Sequence, residues 1–194
     1  NHPTFEVAVA REGLARRSQR LVVIDVDSTL ITDEVVDLVA DAAGVGDAVS
    51  ELTDKAMAGE MDFKESLTRR VSLLAGADAG LLDEVADKVC LTPGARTFFR
   101  TLHRLGYTTA VVSGGFSQVV DRLQERLGIG HAHANELGVV NGRLTGRIVG
   151  EVVDRKGKAD LLRQIAQREG VPLEQVVAVG DGANDLDMLD AAGL

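Results

Sequence analysis

The chain has 194 residues, of which 45 % are hydrophobic and 26 % charged, the balance of an ordinary globular domain. Its net charge is −9, no basic block is present and aromatic residues make up only 3 %, so we expect no nucleic-acid partner. No apolar run approaches the ~20 residues that cross a bilayer, and no secretory leader precedes the core, so we expect a cytoplasmic protein with no membrane partner. The single cysteine, Cys90, excludes an internal disulfide, and we expect its side chain to be buried.

The first strand pattern is LVVI at residues 21–24, and two aspartates, Asp25 and Asp27, follow it directly. They are either turn residues of a polar loop or two acids of a site at the carboxyl end of a strand. Upstream, residues 1–18 hold a strand-like FEVAVA and a charged link, which we interpret as the tail of a preceding segment or a linker.

A helical cap is predicted between the first strand and the second. The interval from Asp25 to Ser113 is far longer than a crossover helix needs, and glycines punctuate several amphipathic patterns within it. We interpret residues 34–92 as an inserted helical cap over the strand ends. Its predicted apolar positions are Val35, Leu38, Val39 and Ala42, then Leu67, Val71 and Leu74, then Leu81, Val85 and Val89.

Strands and helices alternate in the rest of the chain. A helix begins at Pro93 and ends at Gly106, with Phe98, Leu102 and Leu105 expected on its buried face. The short apolar strands TTAVVS (108–113) and VVAVGD (176–181) follow, each leading into a helical pattern. Such strands are typical of a parallel sheet covered on both faces, so we predict an α/β fold with a Rossmann-like doubly wound parallel sheet.

A small β-hairpin is predicted at residues 136–150, because Asn141-Gly142 joins two alternating segments. The core would then comprise residues 19–33 and 93–194. The chain stops at AAGL, where another strand is expected, so we interpret it as a fragment of a longer polypeptide.

Polar residues follow all three parallel strands. Ligands of open α/β sheets bind outside the carboxyl ends of the strands, so these residues should converge, and Lys158 at the start of a helix can reach the same place. Taken singly, each has an ordinary explanation as a turn, a solvated lysine or a helix N-terminal acid. Together they favour a site formed by Asp25, Asp27, Ser113, Gly114, Lys158, Asp181, Asn184 and Asp185.

These residue types suit the cleavage of a phosphate monoester. Asp25 can attack phosphorus, but two unit charges about 4 Å apart repel by roughly 4 kcal/mol at an effective dielectric near 20, so cations are required. Asp25 and Asp181 could hold a hard divalent ion such as Mg²⁺, and Lys158 would add a second positive charge. The carboxylate of Asp27, which is not bound to the metal, can protonate the leaving oxygen and later activate water.

The segments DVDST, SGG, a lysine ahead of a helix and GDGAND resemble the four motifs of the haloacid dehalogenase superfamily of Asp-dependent phosphohydrolases. The similarity runs from about residue 20 to the end. It is closer still to the phosphoserine phosphatases, through DVDSTLITDE, DFKESLTRRVSLL, AVVSGGF and AVGDGANDLDML. This resemblance implies a HAD-like fold and Mg²⁺-dependent hydrolysis of O-phospho-L-serine through an aspartyl-phosphate, the last step of serine biosynthesis.

The resemblance also implies a role for each motif residue. Asp25 would be the nucleophile and Asp27 the acid/base, while Asp25, the Asp27 carbonyl and Asp181 would bind Mg²⁺. Substrate or phosphate would be contacted by Ser113, Gly114, Lys158 and Asn184.

Two cap residues match the family positions that recognise the amino acid: Glu34 for the ammonium and Arg70 for the carboxylate. Without the resemblance, Arg70 would more often be a solvated helix arginine. Met57 and Phe63 are candidates for the apolar side of the pocket, although core residues would look the same. A homodimer is one option for assembly, which the sequence leaves open.

Three other functions share parts of this sequence pattern. Phosphorylation domains of ion-pumping ATPases share the GDG–ND signature but have lysine and threonine where this chain has Val26 and Asp27, and the acid at 27 argues against a long-lived phosphoenzyme. Receiver domains that store an aspartyl-phosphate are smaller and lack the insertion. A phosphatase or phosphotransferase of the same superfamily acting on another small phosphorylated metabolite stays open as the alternative, and only the insertion residues disfavour it.

Overall fold

A computed structural model describes residues 19–58 and 60–194. It contains one five-stranded sheet in the order β4-β3-β2-β1-β5, in which the β1–β2, β1–β5 and β2–β3 pairs are parallel and β3–β4 is antiparallel. The predicted tail at 1–18 lies outside the described residues. The strands are β1 (Leu21–Ile24), β2 (Thr108–Phe116), β3 (His131–Val140), β4 (Arg143–Val149) and β5 (Val176–Val179).

Five helices lie between β1 and β2, and three more follow in the rest of the described chain. They are α1 (Val35–Ala42), α2 (Gly46–Met57), α3 (Phe63–Ser72), α4 (Leu81–Lys88), α5 (Ala95–Arg104), α6 (Ser117–Leu127), α7 (Arg155–Glu169) and α8 (Leu186–Ala191). The α/β fold class is therefore confirmed, whereas the division into a core and a cap at 34–92 stays a prediction. The sequence pattern did not indicate α2, because Val49 is its one buried hydrophobic residue among those described.

The central strand β1 is buried on both faces, which explains why its sequence is a continuous apolar run. Its side chains alternate between two cores, with Val22 and Ile24 in the one that includes α1, α5 and α6, and Leu21 and Val23 in the one that includes α7 and α8. Layers of helices on both faces force the functional groups to the open ends of the strands.

Two burial predictions were wrong. Helix α5 begins at Ala95 and buries Phe99 and Leu102, whereas Phe98 is 43 % and Leu105 67 % exposed. Either of the two adjacent phenylalanines could have faced the core. In the structure the buried face of α5 is formed by Ala95, Phe99 and Leu102, so Phe98 faces outward. Cys90 is exposed rather than buried, because it lies just beyond α4 with its amide bonded to the carboxylate of Asp33 at 3.0 Å.

The predicted hairpin forms between β3 and β4. Its turn residues Asn141 and Gly142 both have positive φ, at 51° and 75°, as a two-residue hairpin turn requires. The outer edge of β4 is bonded to the segment that follows α3: the Gly76 amide donates to the Leu144 carbonyl at 2.8 Å, and the Leu144 amide donates to Ala77 at 2.9 Å. These bonds attach the α3–α4 region to the sheet and so help to position α3.

Candidate active site

Asp25 lies at the carboxyl end of β1, and its backbone amide donates to the carbonyl of Val179 at the end of β5. Its side chain is buried, and Lys158 Nζ lies 2.7 Å from Asp25 Oδ1 and also 2.7 Å from Asp185 Oδ1. The lysine reaches this position because α7 begins just before it, where the carboxylate of Asp154 accepts a hydrogen bond from the amide of Gly157. One buried cation therefore joins two buried carboxylates.

Burial dominates the electrostatics of this cluster. Burial raises the pKa of Asp25 to about 7, although the ammonium of Lys158 opposes the rise. For Lys158, burial by itself lowers the pKa, but the carboxylates of Asp25 and Asp185 outweigh it, so that the pKa is raised. The lysine is thus held as a cation, and its attraction only partly offsets the cost of burying the negative charge of Asp25.

Asp27 lies in a different environment. Its Oδ1 accepts a hydrogen bond from the amide of Val35 and its Oδ2 accepts one from Ser113 Oγ, both at 2.8 Å. Ser113 is fully buried, and its oxygen accepts a hydrogen bond from the Gly115 amide at 2.8 Å. The hydroxyl of Ser113 is therefore directed at Asp27, and the phosphate contact expected of it stays a prediction.

A sharp turn directs the chain away from the sheet after Asp27. Ser28 has φ 54° in the left-handed region, and its hydroxyl donates to Glu34 Oε1 at 2.7 Å. Burial raises the pKa of Glu34, while the hydrogen bond from Ser28 opposes that rise. The turn thereby brings Glu34 to the same cavity as the aspartates.

Three carboxylates form a group that could hold a cation. Each of Asp25, Asp181 and Asp185 offers an oxygen, and these atoms all lie within 4.8 Å of one another. Thr29 Oγ1 donates a hydrogen bond to Asp181 Oδ1. A Cβ added to Gly180 would lie 2.4 Å from the carboxyl carbon of Asp185, so the close approach of Asp185 to the backbone requires glycine there. Oxygen donors of this kind suit a hard divalent ion.

Arg70 projects from α3 into the same cavity and is only 9 % exposed. Its guanidinium lies 3.5 Å from Thr53 Oγ1, and its Nε has no hydrogen-bond partner among the described residues. Burial lowers the pKa of Arg70, whereas the charges of Asp37 and Glu34 oppose that change. A buried arginine with unused donors is suited to bind an anion that enters the cavity.

The cavity brings together most of the residues singled out from the sequence. Ser113 and Lys158 lie beneath its surface and contact Asp27 and Asp25. Phe63 lies against Gly114, where an added Cβ would be 3.0 Å from the ring, and the side chain of Met57 lies outside the described part. The lining residues are Asp25, Asp27, Glu34, Val36, Phe63, Leu67, Arg70, Gly114, Gly115, Asp181 and Asn184.

Sequence reasoning missed several supporting residues. Asn135 is buried and bridges two segments, donating to the Gly114 carbonyl and accepting from the Val153 amide, both at 2.8 Å. Thr29 was not singled out, although it lies inside DVDST. Asp185 was noted at the strand end but not as the partner of Lys158. The sequence carries no signal for Asn135, because its two partners are distant along the chain.

The chain is similar to known proteins over most of its length. The family model described as haloacid dehalogenase-like hydrolase matches residues 22–190. A phosphoserine phosphatase of Streptomyces coelicolor is 64 % identical over 97 % of this chain and 46 % of its own length, and one of Lactococcus lactis is 49 % identical over 90 % and 81 %. The chain therefore spans about half the length of the first of these relatives.

Solved structures agree with the family match. A structure of a phospho-aspartyl intermediate analogue of phosphoserine phosphatase superposes with a TM-score of 0.84 at 42 % identity, covering 91 % of this chain and 85 % of the other. Within the described ranges, none of the helices combines the length and the apolar character that crossing a membrane demands.

Proposed function

The chain belongs to the haloacid dehalogenase-like hydrolase family, and from this premise we propose that it hydrolyses O-phospho-L-serine to L-serine and phosphate. The relatives named phosphoserine phosphatase support this substrate. A cavity that contains acids, a buried arginine and a glycine-rich strand end supports it independently. The observation that carries the proposal is the pairing of a cation-bound carboxylate at 25 with a hydroxyl-bound carboxylate at 27.

In the first step, an oxygen of Asp25 attacks phosphorus and the bond from phosphorus to the serine oxygen breaks. Asp25 is buried beside Lys158, which limits the rotation of its carboxylate and lowers the cost of bringing in a phosphate dianion. Asp27 gives the leaving serine oxygen its proton. The product is an aspartyl-phosphate on Asp25, the species whose analogue is named in the solved phosphatase structure.

In the second step, Asp27 takes a proton from water, which attacks the aspartyl-phosphate and regenerates the carboxylate of Asp25. The two hydrogen bonds that Asp27 accepts, from Val35 and Ser113, hold it in one orientation through both steps. Proton transfer thus needs no exchange of residues between the two halves of the reaction.

The donor set of the site fits a divalent ion, and we assign Mg²⁺ to it. Asp25 and Asp181, with the Asp27 carbonyl that the family resemblance implies, would hold this ion, and Asp185 lies close enough to contribute. When bound, Mg²⁺ neutralises charge on the phosphate and on Asp25. Lys158 supplies the second positive charge from the protein itself.

Substrate selection is assigned to two residues of opposite charge. Arg70 has free donors for the carboxylate of the amino acid, and Glu34 offers a carboxylate for its ammonium. Ser113, Gly114, Lys158 and Asn184 remain the predicted contacts of the phosphate end. The cytoplasmic location, the absence of nucleic-acid and membrane partners, and the homodimer likewise stay predictions.

Phosphate release from two esters tests the proposal. O-phospho-L-serine should be hydrolysed far faster than phosphoethanolamine, which lacks the carboxylate. Arg70→Gln should reduce the ratio of the two rates by raising KM for O-phospho-L-serine. Arg69→Gln, on the exposed side of the same helix, is the matched control and should change neither the rate ratio nor KM. Equal turnover of the two esters by the unmodified chain would instead favour the alternative, a phosphatase or phosphotransferase for another metabolite.

A further inference from the structure

A second cluster of positive charge lies outside the catalytic cavity, in a surface groove between α5 and α6. It is lined by Arg96, Arg100, His103, Arg104, Arg126 and Leu127, and we name it the arginine groove. It shares no residue with the catalytic cavity. On a chain of net charge −9, it gathers four guanidinium groups in one place.

The arginines of the groove lack acidic partners. Within the described ranges, no carboxylate lies within 4.0 Å of the four guanidinium groups, and Arg126 donates instead to the neutral Ala86 carbonyl at 3.4 Å. Some exposed arginines elsewhere do have such partners: Arg69 lies 2.7 Å from Glu65, and Arg163 lies 3.0 Å from Asp160. Others among the described residues, such as Arg147 and Arg168, have none, so what distinguishes the groove is that four unpaired guanidinium groups lie together in it.

The arrangement is unfavourable for the isolated helix. Arg96 stands in the first turn of α5, where a cation opposes the helix dipole and no acidic residue is present. Arg96, Arg100 and Arg104 are spaced at i, i+4 and i+8, so neighbouring like charges repel along one face. The dipole favours Arg104 and His103 in the last turn, but it does not account for Arg96 and Arg100.

The shape and lining of the groove define the ligand. Arg96 and Arg104 are about 12 Å apart along the helix axis, which suits a linear anion with several charges. The one apolar residue in the lining is the buried Leu127, so a peptide would find no hydrophobic anchor. The one ring in the lining is the imidazole of His103, whose Nε2 lies 3.3 Å from Thr109 Oγ1, and no phenylalanine, tyrosine or tryptophan lines the groove as a platform for a nucleobase.

From this geometry we propose that the arginine groove binds a small, soluble polyanion that carries adjacent phosphate groups. Guanidinium forks bind phosphate oxygens in pairs, and two helices present them along the length of such a ligand. The site is independent of the proposed hydrolysis.

Calorimetric titration with tripolyphosphate, at 150 mM salt and without divalent ions, tests this site. The variant with Arg96→Gln, Arg100→Gln and Arg104→Gln should bind at least about tenfold more weakly than the unmodified chain. A control variant with Arg69→Gln, Arg155→Gln and Arg163→Gln loses the same charge from arginines that have acidic partners, and it should bind as the unmodified chain does. Circular dichroism verifies that both variants are folded.

Several results would overturn the proposal. Equal weakening in both triple variants would reduce the effect to overall charge. Binding that survives in the groove variant but is lost in Arg70→Gln would place the ligand in the catalytic cavity. Undetectable tripolyphosphate binding at this salt concentration would exclude the site, and so would binding only to vesicles of anionic phospholipid, which would identify a membrane surface instead.

Discussion

Replacing Asp25 by asparagine should stabilise the metal-free chain while abolishing its activity. The carboxylate at 25 is almost completely buried, and its pKa is raised from 3.8 to about 7, with burial as the main cause. An acid whose pKa is higher in the folded than in the unfolded state stabilises the fold when protonated, and this contribution is lost as the pH rises through the folded pKa. Asparagine is neutral at every pH and nearly the same size.

The pKa shift sets the size of the effect. The rise in the pKa of Asp25 from 3.8 to about 7 corresponds to about 4 kcal/mol of folding free energy, at 1.36 kcal/mol for each pKa unit. The stability advantage of Asp25→Asn should therefore be near zero at pH 4, grow between pH 4 and 7, and level off at about 4 kcal/mol by pH 8. Saturating Mg²⁺ should reduce it, because only the carboxylate binds the ion strongly.

Urea unfolding followed by far-UV circular dichroism is the appropriate assay, since the chain has no tryptophan and one tyrosine. The exposed Asp54, in the middle of α2, provides the control, and Asp54→Asn should show no comparable dependence on pH. A difference between Asp25→Asn and the unmodified chain that stays constant from pH 4 to 8 would refute this reasoning. A variant less stable than the unmodified chain at pH 8 would refute it too.

Three further substitutions test the supports of the site. Thr29→Val should weaken Mg²⁺ binding severalfold, measured by isothermal calorimetry, because it removes the hydrogen bond to Asp181. Thr29→Ser should restore the affinity, and equal Mg²⁺ affinity in the two variants would contradict a role of the Thr29 hydroxyl in metal binding. Gly115→Ala should lower kcat by at least tenfold, since the added Cβ would lie 3.0 Å from Asp27 Oδ2, and unchanged kcat would show that Asp27 tolerates displacement. Lys158→Met should cost roughly 3–5 kcal/mol in urea unfolding at pH 8, because two buried carboxylates lose their cation; a loss below 1 kcal/mol would mean that water reaches them.

The sequence predicted the fold and the position of the site because both depend on local patterns. Continuous apolar strands imply a sheet covered on both sides, and strand order then brings Asp25, Ser113 and Asp181 to one edge. Adjacent phenylalanines at 98 and 99, in contrast, offered two helical registers with almost equal apolar faces. Only the packing of α5 against the sheet decides between them.

Contacts between distant segments could not be predicted in this way. Asn135 bonds to residues on two other segments, and neither strand periodicity nor turn chemistry marks it. The partnership of Lys158 with Asp185 joins residues 27 positions apart, on opposite sides of β5 in the chain. Residue type and spacing identified the charged groups, but their hydrogen-bond partners depend on side-chain directions that only the folded chain defines.

The two aspartates after β1 differ because the chain changes direction between them and α1. Asp25 remains within the sheet, where its neighbours are a lysine and other acids, and so its charge depends on cations. Asp27 accepts hydrogen bonds from Val35 and Ser113, and since Gly115 donates to the Ser113 oxygen, the serine proton is committed to Asp27. A carboxylate has about four acceptor positions, so both oxygens keep one free toward the cavity. Two acids of the same type are therefore suited to the proposed roles of nucleophile and proton carrier, because one is held by charge and the other by hydrogen bonds.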